Sequence, residues 1–212
     1  MTDAHAHIEL PGCVCILAEP CAGKPKFVGW HPWHLEGLDL DSLRNRLAAD
    51  KTLGVGEIGL DRLKSRDISA AMRNAFESQL AIAAEFARPV VLHGAKCWGE
   101  VVKACIPHKG RIPAFLFHGF SRSAGLIGDI VALNGFISVG PAILNDHAVN
   151  YRAMAKSMPA EILLAETDAK EPSGSSDIAA VVAKLADIRG VAQEEMESVI
   201  DANAKRFMES IS

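Results

Sequence analysis

A chain of 212 residues with 49% hydrophobic and 23% charged residues is long enough for one well-buried domain, and this usage excludes disorder. A formal net charge of −4 argues against a protein that holds duplex nucleic acid by a broad basic field, though not against a nuclease whose bound cations attract phosphate. No apolar run approaches the roughly 18 residues of a spanning helix, and no basic region with an apolar stretch opens the chain, so a cytoplasmic protein without a signal peptide is expected. The five cysteines are odd in number and lack zinc-type spacing, which predicts reduced structural thiols.

In chain order, Thr2–His7, Gly12–Ala18 and Phe27–His31 read as the first three strands. Only Ile8–Pro11 separates the first two. Four extended residues reach about 13 Å, whereas a parallel crossover usually takes a dozen residues or more. The second strand is therefore expected to run antiparallel, as in a hairpin; the alternative is a parallel strand reached by a helix-free extended link. Glu19–Lys26 is also too short and too rich in Pro and Gly for a helix. Two covering helices are thus missing at the front, and the bare apolar flank predicts a homodimer contact.

From Thr52 onward short apolar runs alternate with amphipathic ones. The strands expected are Thr52–Ile58, Pro89–His93, Pro113–His118, Gly135–Val139 and Glu161–Thr167, rich in Val, Ile, Leu and Phe and bounded by Gly or Pro. The clearest helix covers Asp67–Ala87, where Ile68, Met72, Ala75, Phe76, Leu80 and Ala83 recur at three- and four-residue spacing and Arg88-Pro89 stops the pattern. Others cover about Lys96–Ile106, Ser123–Asn134, Ala148–Ser157, Ser176–Arg189 and Gln193–Met208. Eight strands alternating with helices predict a single α/β domain over residues 1–212, a (β/α)8 TIM barrel lacking the helices after strands one and two. The rival, an open doubly wound sheet, would carry a Gly-rich phosphate fingerprint after its first strand, and none is present.

Barrel enzymes place their chemistry at the C-terminal strand ends. His5 and His7, two apart, share one strand face, with Asp3 one step deeper and better placed to hold a ligand histidine than to bind metal. Glu57, flanked by glycines in Gly54-Val55-Gly56-Glu57-Ile58-Gly59-Leu60-Asp61, ends strand four. His93 ends strand five, His118 strand six and Asp168 strand eight. Any one of these alone reads as a satisfied polar residue or, for Asp168, a helix N-cap. Together, with strand eight closing on strand one, they predict a site that holds two divalent ions with an acid between them. Imidazole and carboxylate suit zinc or manganese, and magnesium where carboxylate and water dominate.

At these positions the chain resembles the TatD family of metal-dependent hydrolases, within the broader amidohydrolase superfamily. The segments that carry the resemblance are Asp3-Ala-His-Ala-His7, Gly29-Trp-His-Pro32, Gly56-Glu-Ile-Gly-Leu-Asp61, Pro89-Val-Val-Leu-His93, His118-Gly-Phe-Ser121, Glu166-Thr-Asp168 and Asn203-Ala-Lys-Arg-Phe207. The resemblance implies that His5, His7 and Asp168 bind one metal and His93 and His118 the other, with Glu57 bridging. It implies metal-assisted hydrolysis of phosphodiesters, as in a deoxyribonuclease acting on single-stranded DNA or DNA ends, with Asp168 orienting or deprotonating the water. A small non-nucleic-acid ester or amide is the alternative substrate. His31 is expected to contact substrate phosphate or support a ligand. Where the family often has arginine two positions after the strand-five histidine, this chain has Ala95, followed by Lys96, and Arg122 stands where a small residue is usual. Lys96, Arg122, Lys170 and Arg62 are candidates for a rebuilt phosphate rim, and Trp30, Trp33 and Trp98 for base stacking or simple packing.

Overall fold

A computed structural model describes residues 1–64, 66–121, 124–171 and 178–211. Among them, eight parallel strands stand side by side in chain order: β1 (Thr2–Ile8), β2 (Val14–Ala22), β3 (Phe27–Val28), β4 (Gly54–Asp61), β5 (Val90–Ala95), β6 (Phe115–Phe117), β7 (Gly135–Val139) and β8 (Leu163–Ala165). This is the expected (β/α)8 barrel. Its seam between β8 and β1 is closed just beyond β8, where the Asp168 N–H donates to the His5 carbonyl at 3.0 Å and the His7 N–H to the Ala169 carbonyl at 2.8 Å.

The second strand corrects the antiparallel expectation. It runs parallel to β1, with Thr2 opposite Val14 and Asp3 opposite Cys15. The reason is one of length. β2 begins at Val14 rather than Gly12, so the stretch between Ile8 and Val14 makes the return. Those six Cα steps reach about 20 Å, which matches the rise of β1. An irregularity shortens the need further, because Asp3 to Ala6 faces only Cys15 to Leu17. The helix-free link is steadied by sulfur: the Leu10 N–H donates to Cys15 Sγ at 3.3 Å, and the Cys13 thiol donates to the Leu10 carbonyl at 3.7 Å. All five cysteines are free thiols.

The helices are α1 (Leu40–Ala49), α2 (Ala70–Glu85), α3 (Trp98–Cys105), α4 (Ile127–Ala132), α5 (Val149–Ser157), α6 (Ile178–Arg189) and α7 (Gln193–Glu209). No helix follows β1 or β2, as expected, and Val14 on that flank is 68% exposed. Helix α1 has no counterpart in the apolar periodicity, because it buries only Leu43 and Leu47. Its start is set instead by Asp39, whose carboxylate accepts the Asp41 and Ser42 N–H groups. At the other end of the chain, α7 plugs the barrel floor. Phe207 stacks on Phe27 of β3 at 5.5 Å and meets Phe136 of β7 at 5.6 Å between ring centroids. A fully buried ring of this size contributes about 1.5–3 kcal/mol, so the closing helix also anchors the base of the strands. No helix among the described residues is long and apolar enough to cross a membrane.

Candidate metal centre

Glu57, near the middle of β4, is 2% exposed and lies in contact with five histidines. His118 Nε2 is 2.7 Å, His93 Nδ1 2.8 Å and His31 Nε2 3.3 Å from its Oε1, while His5 Nε2 is 3.2 Å and His7 Nε2 3.5 Å from its Oε2. Burial alone would raise its pKa, but the His118 charge and hydrogen bond and the close His31 and His5 imidazoles hold it well below the usual carboxylate range. Asp168 closes the ring, its Oδ1 standing 3.2 Å from His7 Nε2 and 3.7 Å from His5 Nε2. Its backbone has a φ of +52°, a left-handed conformation that aspartate tolerates better than most residues.

Four of the histidines have a polar partner on the other nitrogen, which is how an imidazole is committed to one tautomer; His5 Nδ1 is buried without one. His7 Nδ1–H donates to the Ala18 and Pro20 carbonyls, both at 3.0 Å. His93 Nε2–H donates to Asp61 Oδ2 at 2.8 Å. His118 Nδ1 faces Glu166 Oε1 at 3.5 Å, and Glu166 in turn accepts the Ser138 hydroxyl. In these three rings the nitrogen nearer Glu57 is the one left to face the centre. His31 differs. Its Nδ1 accepts the Trp33 N–H at 3.1 Å, so in the neutral ring the proton sits on Nε2, facing Glu57. Burial pushes its pKa down and favours that neutral form. The loop carrying His31 is clamped by buried Gln79 of α2, whose amide accepts from the Trp30 N–H at 2.7 Å and donates to the Trp30 carbonyl at 3.1 Å.

All six candidate ligands thus converge, with His31 beside them. The donor atoms of His5, His7 and Glu57 lie within 4.8 Å of one another, as do those of His31, Glu57 and His93. His5 Nε2, His7 Nε2 and Asp168 Oδ1 are buried without a hydrogen bond of good geometry. Unsatisfied nitrogens and a carboxylate oxygen aimed at one another are costly unless a cation takes them up. The residues present therefore fit divalent metal.

Three supporting contacts refine or extend the sequence reading. Asp3 holds no histidine ring; its Oδ1 accepts the His5 and Thr167 N–H groups and its Oδ2 the Thr167 hydroxyl at 2.6 Å. Burial pushes Asp3 up to about 7 despite those bonds. Asp61 and Glu166, the partners of His93 and His118, carry no motif of their own in the sequence. The cue is spacing alone, since Asp61 lies four residues after Glu57 and Glu166 two before Asp168. Asp61 is itself fixed by the Leu63 and Lys64 N–H groups at 2.6 and 2.9 Å. Asp61→Asn is expected to lower metal affinity about 10- to 100-fold, as loss of a ligand's hydrogen-bond partner does, measured by competition with a chromophoric chelator. Unchanged affinity would mean that His93 needs no such support.

Of the rim candidates, Lys96 borders a cavity of about 470 Å³ together with His93, His118, Tyr151 and Asp168. Lys170 lies 3.6 Å from Asp168 Oδ2. Arg62 is drawn away to Glu100, which it shares with Arg73. Arg122 falls outside the described residues. A second cavity, of about 440 Å³, is lined by Glu57 itself together with His7, His31, Trp33 and Lys170.

Comparison with known proteins is consistent with this geometry. A family model described as TatD related DNase matches residues 21–209, a span that begins beyond His5 and His7. Over 192 residues the chain is 25% identical to the uncharacterized metal-dependent hydrolase YabD of Bacillus subtilis, covering 85% of this chain and 75% of that one. It is 31% identical over 141 residues to a 3'-5' ssDNA/RNA exonuclease TatD of Edwardsiella piscicida, covering 66% of this chain and about half (53%) of the relative. The crystal structure of the TatD homolog YJJV from Escherichia coli superposes with a TM-score of 0.71 at 24% identity, over 86% of this chain and 76% of that one, which establishes a shared fold.

Proposed function

Because the chain belongs to the TatD-related DNase family, we propose that it is a metal-dependent phosphodiesterase acting on single-stranded DNA and DNA ends. The observation that carries this reading is the ring of ligand nitrogens around Glu57, with His7, His93 and His118 each backed by an oxygen on the far side. In this reading His5, His7 and Asp168 hold one divalent ion and His93 and His118 a second, with Glu57 between them; zinc, manganese and magnesium all suit such donors. Bound there, the ions supply Lewis acidity to a phosphoryl oxygen and make water a usable nucleophile at neutral pH.

The protein's own groups then divide the remaining work. Water adds to phosphorus and the bond to the leaving nucleotide oxygen breaks. Asp168 is the proton acceptor for that water: burial would raise its pKa, but the close His7 imidazole and the His5 and His118 charges bring it to about 2, so it is ionised at neutral pH, and it is 35% exposed to the cavity. His31 offers its Nε2–H to a phosphate oxygen, and Lys96 stands at the rim as a cation for the strand.

Protein purified without chelator is expected to carry close to two divalent ions per chain. Treatment with EDTA should lower hydrolysis of a single-stranded oligonucleotide by about a thousand-fold or more, the loss of several kcal/mol of metal catalysis, and manganese should restore it. A panel of single-stranded DNA, duplex DNA, RNA and bis(4-nitrophenyl) phosphate, with end-labelled strands for polarity, identifies the substrate. Hydrolysis that persists in EDTA would overturn the metal reading, and cleavage of the small ester alone would overturn the nucleic-acid reading.

A further inference from the structure

The three tryptophans have different surroundings. Trp98 is buried against Phe117 and Phe120, at 6.0 and 5.1 Å between centroids. Trp30 packs against the core with its backbone held by Gln79. Trp33 is 36% exposed at the lip of the 440 Å³ cavity. Its position is nonetheless fixed, because its N–H bonds His31 and its ring stands edge-on to His31 at 4.9 Å and to His93 at 6.1 Å. Two ammonium groups lie over the indole, Lys64 Nζ at 5.0 Å and Lys170 Nζ at 5.8 Å from its centroid. Both are within the roughly 6 Å at which a cation is attracted by a ring face.

A flat aromatic surface bracketed by lysines complements a flat base bracketed by phosphates. Stacking on an aromatic side chain serves any base, and lysines follow the backbone charge. The spacing also fits, since a single layer of imidazole, His31 and His93, separates the indole from the Glu57 carboxylate. We infer that Trp33 is the stacking platform for the nucleobase beside the scissile phosphate, with Lys64 and Lys170 taking the phosphates that flank it. The inference rests on the phosphodiesterase reading above and adds a basis for selectivity. A base inside a duplex has both faces covered by its neighbours, so the platform engages only unpaired or frayed nucleotides, and lysine contacts to the indole give way to phosphate when a strand enters.

The test pairs variants with altered substrates in the manganese-loaded enzyme. Trp33→Ala is expected to raise KM for a single-stranded oligonucleotide about 10- to 100-fold, the range that base–aromatic stacking gives, with a much smaller change in kcat. Trp33→Phe, which keeps a ring, should recover most of the loss, and Trp33→Leu, which keeps apolar bulk alone, should not. An oligonucleotide abasic at the nucleotide beside the cleaved bond should show the same KM penalty with the wild-type enzyme and no further penalty with Trp33→Ala. If the substitution and the missing base lower kcat/KM independently, so that their effects multiply, the platform is not Trp33 and the proposal fails. If the abasic strand is cleaved by the wild type as well as the normal one, no base is stacked and it also fails. Failure of the wild type to cleave any oligonucleotide would be the separate failure of the function itself.

Discussion

Replacing Glu57 by glutamine is expected to abolish the site while leaving its shape. The substitution is isosteric, yet it removes the one negative charge shared by five histidines and replaces a carboxylate oxygen with an amide N–H₂ that can neither ligate a cation nor accept an imidazole N–H. Turnover on any phosphodiester should fall about a thousand-fold or more, since several kcal/mol of metal catalysis are lost if Glu57 bridges the ions as proposed, and bound metal should fall with it. The metal-free protein should suffer too. Burial would keep His7 and His118 neutral, but Glu57 and its acidic neighbours raise them, His7 to about 9, so both carry protons near neutral pH. Leaving such buried cations without their partner costs about 3–5 kcal/mol, or roughly 10 °C in Tm for a domain of this size. Metal analysis, steady-state kinetics and thermal melting on one preparation check all three effects. A variant keeping a tenth of wild-type turnover with normal metal content would falsify the bridging role.

The second large effect concerns Gly59, two residues beyond Glu57. Its φ is +154°, and a Cβ built there would lie 2.0 Å from the carbonyl oxygen of His93 on the paired strand. That neighbour is backbone, so it yields only if β5 moves away and carries His93 with it. Gly59→Ala is expected to destabilise the fold by about 4 kcal/mol or more, from overpacking and an unfavourable backbone conformation together. Thermal melting should show a drop of about 10 °C or more. Gly99→Ala, in α3 with no atom within 4 Å of the added carbon, is the control and should raise stability slightly through helix propensity. Similar melting of the two variants would contradict the packing argument.

The sequence made the strands and candidate ligands legible for one shared reason. Buried parallel strands appear as runs of Val, Ile, Leu and Phe, and His93 and His118 come where such a run reaches the barrel mouth. Supporting residues left no such mark. Asp61 and Glu166 look like ordinary polar residues until the register brings β4 beside β5, with Asp61 reaching His93, and carries Glu166 to His118. The direction of β2 turned on a two-residue boundary, because moving its start from Gly12 to Val14 makes an extended return long enough. Helix α1 escaped because two leucines are too few to set a period. Arg62 appeared suited to the rim by position, but its charge is neutralised by Glu100.

The seam between the last strand and the first has a consequence of its own. His5 and His7 stand on one side of it and Asp168 on the other, and the backbone bonds that join the two sides come from these same residues or their immediate neighbours. An ion that takes these three ligands would be a clasp between the two ends of the barrel wall, and ligands that bind only the folded state add to its stability by mass action. Metal occupancy and closure of the cylinder are then one linked equilibrium, so the chemistry of the mouth would also help to hold the wall shut.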